Sequence, residues 1–232
     1  TTEIYTLSLH DALPISPDNV ARDIYRHPYE TLSFFGIKPD MTVVELNPGG
    51  GWYTEILANY IHYPGTLITA QGSYYLERFE KKMNSNPMYG RVEIVNLDST
   101  LAKPNSVDAV LTFRNLHNWL GPEMDSIFRN SFIALKPGGL FGVVEHRAKP
   151  GTDFETMKSS GYVTEDYAIE VALKHGFELV EKSDINANPK DTKDHAKGVW
   201  TLPPTYRLKN KDRDKYSAIG ESDRMTLLFK KP

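Results

Sequence analysis

The chain is 232 residues long, with 27 Lys and Arg against 30 Asp and Glu and a formal net charge of −3, a balance that leaves no electrostatic footprint for nucleic acid. It contains no cysteine, which excludes disulfides and thiolate-held zinc. No apolar run approaches the roughly 20 residues that a membrane-spanning helix requires.

The opening stretch TTEIYTLSLHDALPI resembles a translated short-read sequencing adapter over its whole length, Thr1 to Ile15. That resemblance implies a gene assembled from environmental reads, and residues 1–16 are expected to be a non-native tail that carries no chemistry. Any native leader or export signal would have stood in its place. Without Glu3 and Asp11 the formal charge moves from −3 to −1. Residues 17–232 are expected to form one domain with an insertion at about 184–223.

Residues 18–35 have a helical pattern that Pro28 interrupts and restarts. Residues 42–46 (TVVEL) read as a short buried strand, followed by the glycines of 48–51 and a helix over 52–60. A strand over 66–70, a charged helix over 74–83 and a strand over 91–95 come next. Residues 107–112 form a fourth strand, 123–135 a helix and 140–145 a fifth strand after the turn KPGG. A helix over 165–175 and strands over 177–183 and 224–229 complete the pattern. Strands alternate with helices, which predicts an α/β fold with a mostly parallel sheet and helices on both faces. The polar segment 184–223 reads as a lid or recognition loop, with its charged run 209–215 as a solvated excursion.

The stretch VVELNPGGGWYTEIL carries the most chemistry. A strand runs into glycines and then a helix, so main chain and unpaired helix-start N–H groups lie open to a ligand. In an open α/β sheet such ligands lie beyond the carboxyl ends of the strands. A nicotinamide fingerprint requires G-x-G-x-x-G/A, which no register here satisfies, and the Gly-Lys-Ser/Thr of a P-loop is absent.

Glu45-Leu46-Asn47-Pro48-Gly49-Gly50-Gly51 resembles the first motif of class I S-adenosylmethionine-dependent methyltransferases, acid-x-G-x-G-x-G. Asn47 replaces the first glycine; asparagine tolerates the left-handed backbone better than most residues. Lys136-Pro137-Gly138-Gly139 and the run 105–110 (NSVDAV) also resemble that family. The stretches RHPYETLSFFGIKPDMTVVE, NANPKDTKDH, GVWTLPP and GESDRMTL resemble a bacterial subgroup of predicted methyltransferases with no assigned substrate.

The resemblance implies a Rossmann-like seven-stranded, mostly parallel sheet with an antiparallel last strand. It implies S-adenosylmethionine as cofactor, with Glu45, Asn47, Gly49, Gly50 and Gly51 around its methionine part. Gln71 stands where the family places a ribose-binding acid, and an amide can still hydrogen-bond hydroxyls. Asp98 matches the acid that contacts adenine. The acceptor is expected to be a small molecule, and the chain soluble, a monomer or homodimer, and cytoplasmic if it depends on that cofactor.

Catalytic and acceptor-binding candidates are expected at the ends of strands four and five. The loop after strand four crowds Arg114, Asn115, His117, Asn118 and Trp119; the first two are expected on the cofactor side. His117 is a candidate base, because imidazole moves protons near neutral pH. Trp119 and Asn118 are candidate acceptor contacts, Trp119 alternatively a packing residue. Glu145 either orients His117, binds a cationic acceptor, or pairs internally with an arginine. His146 is a further catalytic candidate and Arg147 a candidate acceptor contact, although alternation along the strand would send Glu145 and Arg147 one way and His146 the other. His195 and Trp200 are candidate acceptor contacts from the lid; Arg26 and His27 precede the first strand, where enzymes of the resembled family often close over the cofactor, and are weaker candidates on that side. Two alternatives stand beside this reading. One is a metal-dependent hydrolase or lyase using His117, Glu145, His146 and His195, although no metal-ligand spacing supports it. The other is a binding module that keeps the nucleoside pocket without transfer.

Overall fold

The short apolar runs fold into a seven-stranded sheet in this computed structural model, which describes residues 16–232. The adapter-like stretch lies outside the described residues. The strands are β1 (Thr42–Leu46), β2 (Thr66–Gln71), β3 (Val92–Asn96), β4 (Val107–Phe113), β5 (Leu135–His146) and β6 (Glu178–Ser183), then a short β7 (Ala196–Val199) outside this sheet, then β8 (Arg224–Lys230). Their order across the sheet is β3-β2-β1-β4-β5-β8-β6. All neighbours pair parallel except β8, which runs antiparallel between β5 and β6. The chain order reverses between β1 and β4, which puts the ligand crevice beyond Leu46 and Phe113.

Helices cover both faces, so the central strands are buried almost throughout rather than alternately. Successive residues still divide between two cores. Val44, Leu46 and Val110 face one, packed against Met124, Ile127 and Phe128 of a helix at Pro122–Ala134. Val43, Ala109 and Leu111 face the other, against Leu32 and Phe35 and against Ile56 and Leu57 of the helix Trp52–Tyr60.

Several boundaries differ from the sequence expectation. Residues 18–35 form three short helices, α1 (Pro17–Val20), α2 (Asp23–Arg26) and α3 (Pro28–Phe34), because His27 adopts a left-handed φ of 41° before Pro28 restarts the chain. Helix α4 (Trp52–Tyr60) has the expected bounds, while α5 (Leu76–Met83) follows a 3-10 turn at Ser73–Tyr75. The turn KPGG before strand five lies inside β5 instead: Gly138 N–H donates to Lys231 O at 2.7 Å and Lys231 N–H to Gly139 O at 2.9 Å. After α6 (Pro122–Ala134) comes α7 (Phe154–Ser160), which the sequence pattern did not suggest, and then α8 (Glu165–Lys174). The run 209–215, expected to be a solvated excursion, is exposed throughout; its last three residues begin α9 (Arg213–Ile219), which buries Tyr216.

Residues 184–223 are held down by a buried knot. Asp191 accepts from Tyr162 Oη at 3.1 and 3.0 Å and from the main-chain N–H groups of Lys193 (2.9 Å) and Asp223 (2.8 Å). His195 Nε2 lies 2.8 Å from the same carboxylate. Removing this acceptor leaves several buried donors unpaired. Asp191→Ala is expected to cost about 3 kcal/mol and lower Tm by roughly 6–12 °C, read by thermal denaturation.

Candidate active site

The glycine turn is left-handed at Asn47 (φ 45°), Gly49 (φ 59°) and Gly51 (φ 72°), so the asparagine does take the backbone angle of the glycine it replaces. Its side chain joins three strand ends. Gln71 Nε2 donates to Asn47 Oδ1 at 2.9 Å, Asn47 Nδ2 to Asn115 Oδ1 at 3.1 Å, and Asn115 Nδ2 to Leu46 O at 3.0 Å. Gln71 is fully buried, and its Oε1 has no hydrogen-bond partner. Lys82 of α5 clamps the turn from outside, donating to Gly50 O at 2.7 Å and to Glu55 Oε1 at 2.7 Å. A Cβ added at Gly49 or Gly50 would meet nothing within 4 Å, so the turn borders open space.

Glu45 lies beneath this turn rather than beside that space. It is buried and accepts from Thr54 Oγ1 at 2.6 Å. Burial pushes its carboxyl up to about 7, against the Thr54 hydrogen bond and the charges of Lys82 and Arg114, which pull it down. The neutral form is therefore favoured by folding. Glu45's contribution to stability is complete below about 4.5 and is lost as pH rises through about 7. Glu45→Gln keeps an oxygen for Thr54. It is expected to match the parent near pH 4 and to exceed it by about 3 kcal/mol at pH 8, read by denaturation across that range.

Two cavities open at the carboxyl ends of the strands. The first, about 380 Å³, is lined by Asn47, Gly72, Tyr74, Asp98, Trp119 and Glu123 among others. The second, about 240 Å³, is lined by Arg114, His117, His146, Trp200, Glu221 and Arg224 among others. One loop, 114–119, serves both: Arg114 and His117 face the second, Asn118 and Trp119 the first.

In the second cavity Glu145 holds His117. Its carboxylate lies 3.0 Å from His117 Nδ1 and accepts from the main-chain N–H groups of His117 at 3.3 Å and His146 at 2.7 Å. A carboxylate that only accepts places the proton on Nδ1 and leaves Nε2 to take one. His146 Nδ1 is 2.5 Å from Ser222 Oγ, and its ring centre lies 5.1 Å from that of His117. Burial, and then the charges around it, hold the His146 imidazole well below its usual value, so it is neutral at physiological pH. Trp200 meets the His117 ring edge-on at 5.9 Å and carries the Arg207 guanidinium on its face at 4.5 Å.

Several expected roles shift accordingly. Arg114, expected on the cofactor side, faces the second cavity. Trp119 and Asn118, expected at the acceptor, line the first, and Trp119 also packs into the core. Arg147 faces neither, because Asp223, Asp184 and Glu165 surround its guanidinium. His195 is tied to Asp191 and lines neither. Glu145 and His146 meet around His117 although strand alternation separates them: Glu145 reaches it by a hydrogen bond and His146 by a ring contact. Asp98 is exposed at the rim of the first cavity. Sequence reasoning missed Lys82 at the glycine turn, Tyr74, Tyr75 and Glu123 at the first cavity, and Arg22, Arg224 and Glu221 at the second. Only Gly-Glu-Ser-Asp-Arg at 220–224, quoted for its resemblance, marked any of the latter.

Among the described residues, His117, Glu145 and His146 also bring possible metal-ligand atoms within 4.8 Å of one another. His195, the fourth residue of the metal-hydrolase alternative, stands apart at Asp191. Among the same residues no helix is long and apolar enough to cross a membrane.

Residues 44–143 match the family model of a methyltransferase domain. The chain is 24% identical over 212 residues to the sterol 24-C-methyltransferase erg-4 of Neurospora crassa, covering 84% of this chain and 54% of that protein. It thus spans about half the length of this curated relative. It shares its fold with a SAM-dependent methyltransferase from Aquifex aeolicus (TM-score 0.64, 14% identity, 93% of each chain). It likewise resembles a geranyl diphosphate methyltransferase in complex with SAM (TM-score 0.64, 12% identity, 97% of this chain and 94% of that one). These matches are to methyltransferases and favour neither the hydrolase nor the lyase alternative.

Proposed function

We propose, for a chain that carries a class I S-adenosylmethionine-dependent methyltransferase domain, that the methyl group of that cofactor passes to a small-molecule acceptor bound in the second cavity. The observation that carries this reading is the loop 114–119, whose residues face both cavities and so bring donor and acceptor to one place.

The residues around the first cavity fit an adenosyl group. Behind Asn47, which lines the cavity and accepts from Gln71 Nε2, Gln71 Oε1 is a buried acceptor with nothing to accept from, suited to a ribose hydroxyl. Asp98 presents a carboxylate at the rim, suited to the exocyclic amine of adenine, and the space before Gly49 and Gly50 suits an amino-acid tail. The volume of about 380 Å³ falls within the range of small-ligand sites, ~300–1,000 Å³. When bound, S-adenosylmethionine supplies an electrophilic methyl carbon on a sulfonium.

The chain's own residues then have three tasks. The Asn47–Gln71–Asn115 chain keeps the strand ends in register, so that the reacting groups meet in line. Trp200 and the neighbouring Pro203, Pro204 and Thr205 close the second cavity against water. His117 Nε2 takes the proton of an acceptor hydroxyl, amine or acidic carbon, while Glu145 holds Nδ1 and stabilises the imidazolium. Residues 184–223 act as the lid of one domain rather than as a separate unit.

Calorimetric titration with S-adenosylmethionine and S-adenosylhomocysteine tests the reading. Binding of both is expected; no heat and no thermal shift at millimolar ligand would remove it.

A further inference from the structure

The second cavity is walled by arginine. Arg22, Arg26, Arg114 and Arg224 all line it, and Glu221 is the one carboxylate among its lining residues. These four come from α1–α2, from the end of β4 and from the start of β8, so the fold gathers them from distant stretches of chain.

Glu221 cannot satisfy them. It takes Arg22 Nε at 2.7 Å and Arg26 Nε at 3.4 Å, is in close contact with Arg224 Nη2, and lies 3.8 Å from Arg114 Nη1. Arg224 Nη1 donates to Tyr25 O at 2.9 Å. Arg26 Nη1, Arg26 Nη2 and Arg224 Nε are left buried with no partner, although both side chains are about 2–3% exposed. The Arg26 guanidinium carbon lies over the Trp52 ring, 4.6 Å from its centre. Burial and then the neighbouring Arg224 pull Arg114 down to about 10, even with 23% of its side chain exposed. Four guanidiniums share one lining carboxylate, and the other carboxylate nearby, Glu145, is engaged by His117, so positive charge exceeds negative around the cavity; for Arg26 and Arg224, both buried, charge without a full counter-ion is costly. A fork of N–H groups matches the paired oxygens of carboxylate or phosphate.

We infer that the acceptor carries an oxyanion, carboxylate or phosphate, which docks against Arg22, Arg26, Arg114 and Arg224 while its nucleophilic atom lies at His117. This deepens the methyl-transfer reading and rests on it for the word acceptor; the anion site itself does not. The two histidines of the cavity have partners of their own, His146 Nδ1 at Ser222 Oγ and His117 Nδ1 at the Glu145 carboxylate, so neither draws on Glu221.

The test is titration of the full chain with inorganic phosphate and with acetate at low ionic strength, followed by calorimetry and thermal shift. S-adenosylhomocysteine is titrated in parallel. Saturable binding of at least one anion is expected. Arg26→Gln and the more exposed Arg22→Gln are each expected to weaken it roughly tenfold while S-adenosylhomocysteine binding persists, which reports an intact fold. Phosphate without acetate would assign a phosphorylated acceptor, and acetate without phosphate a carboxylic one. Absence of anion binding in a chain that binds S-adenosylhomocysteine would overturn the inference. So would anion binding that neither substitution weakens. Anion binding without S-adenosylhomocysteine binding would sink the methyl-transfer reading and leave the anion site standing.

Discussion

Replacing His117 by alanine is expected to slow methyl transfer by about 10²–10⁴-fold while leaving S-adenosylhomocysteine affinity within about twofold. The expectation follows from the division of the loop. His117 faces the second cavity, whereas the proposed cofactor side comprises Asn47, with Gln71 behind it, Asp98 and Trp119. A base is required only when the acceptor loses a proton, so the loss belongs in kcat more than in KM. Glu145→Gln should lower the rate less, since an amide oxygen can still orient Nδ1 but no longer balances the imidazolium. Single-turnover rates across a pH series separate chemistry from product release. Unchanged turnover in His117→Ala would refute the role of base, and turnover that a chelator abolishes would move it to a metal at His117, Glu145 and His146.

Gly49→Val is expected to abolish measurable cofactor binding, a loss of more than about 100-fold by calorimetry. Two costs add. Gly49 has φ 59°, where a β-branched residue is strained by one to two kcal/mol or more. Its added carbons would also project into the open space in front of the turn, the space assigned to the cofactor's amino-acid tail. Gly51→Ala acts differently. Its Cβ would meet Lys82 and Phe79 at 3.3 Å, so it presses on the clamp behind the turn rather than on the ligand. Retained binding in Gly49→Val with an unchanged Tm would place the cofactor elsewhere.

Much of the architecture was legible in the sequence because it is local. The run Thr42–Leu46, the glycine turn and the helix Trp52–Tyr60 follow from apolar runs and turn residues, and Asn47 took the left-handed angle that its side chain tolerates. The placement of His117 beside Glu145 was anticipated as one of several options, and the structure selects it over an arginine pair. What stayed hidden depends on chain stretches meeting across the sheet. Arg22 and Glu221 lie 199 positions apart and meet at 2.7 Å, a contact no periodicity encodes. Arg147 and His195 looked available for an acceptor because their partners, Asp223 and Asp191, lie far along the chain or behind a turn. The turn KPGG looked like a strand boundary because Pro and Gly usually are one; here its glycines pair with Lys231, just past the antiparallel β8.

The segment pinned by Asp191 supplies Trp200, Pro203, Pro204 and Thr205 to one chamber and none of the residues named in the other. Selection on the nature of the methylated compound can therefore act on a single stretch between β6 and β8, while the nucleoside-facing strand ends remain as they are. Exchanging that stretch between homologues should transplant preference for one compound over another without retuning the donor half.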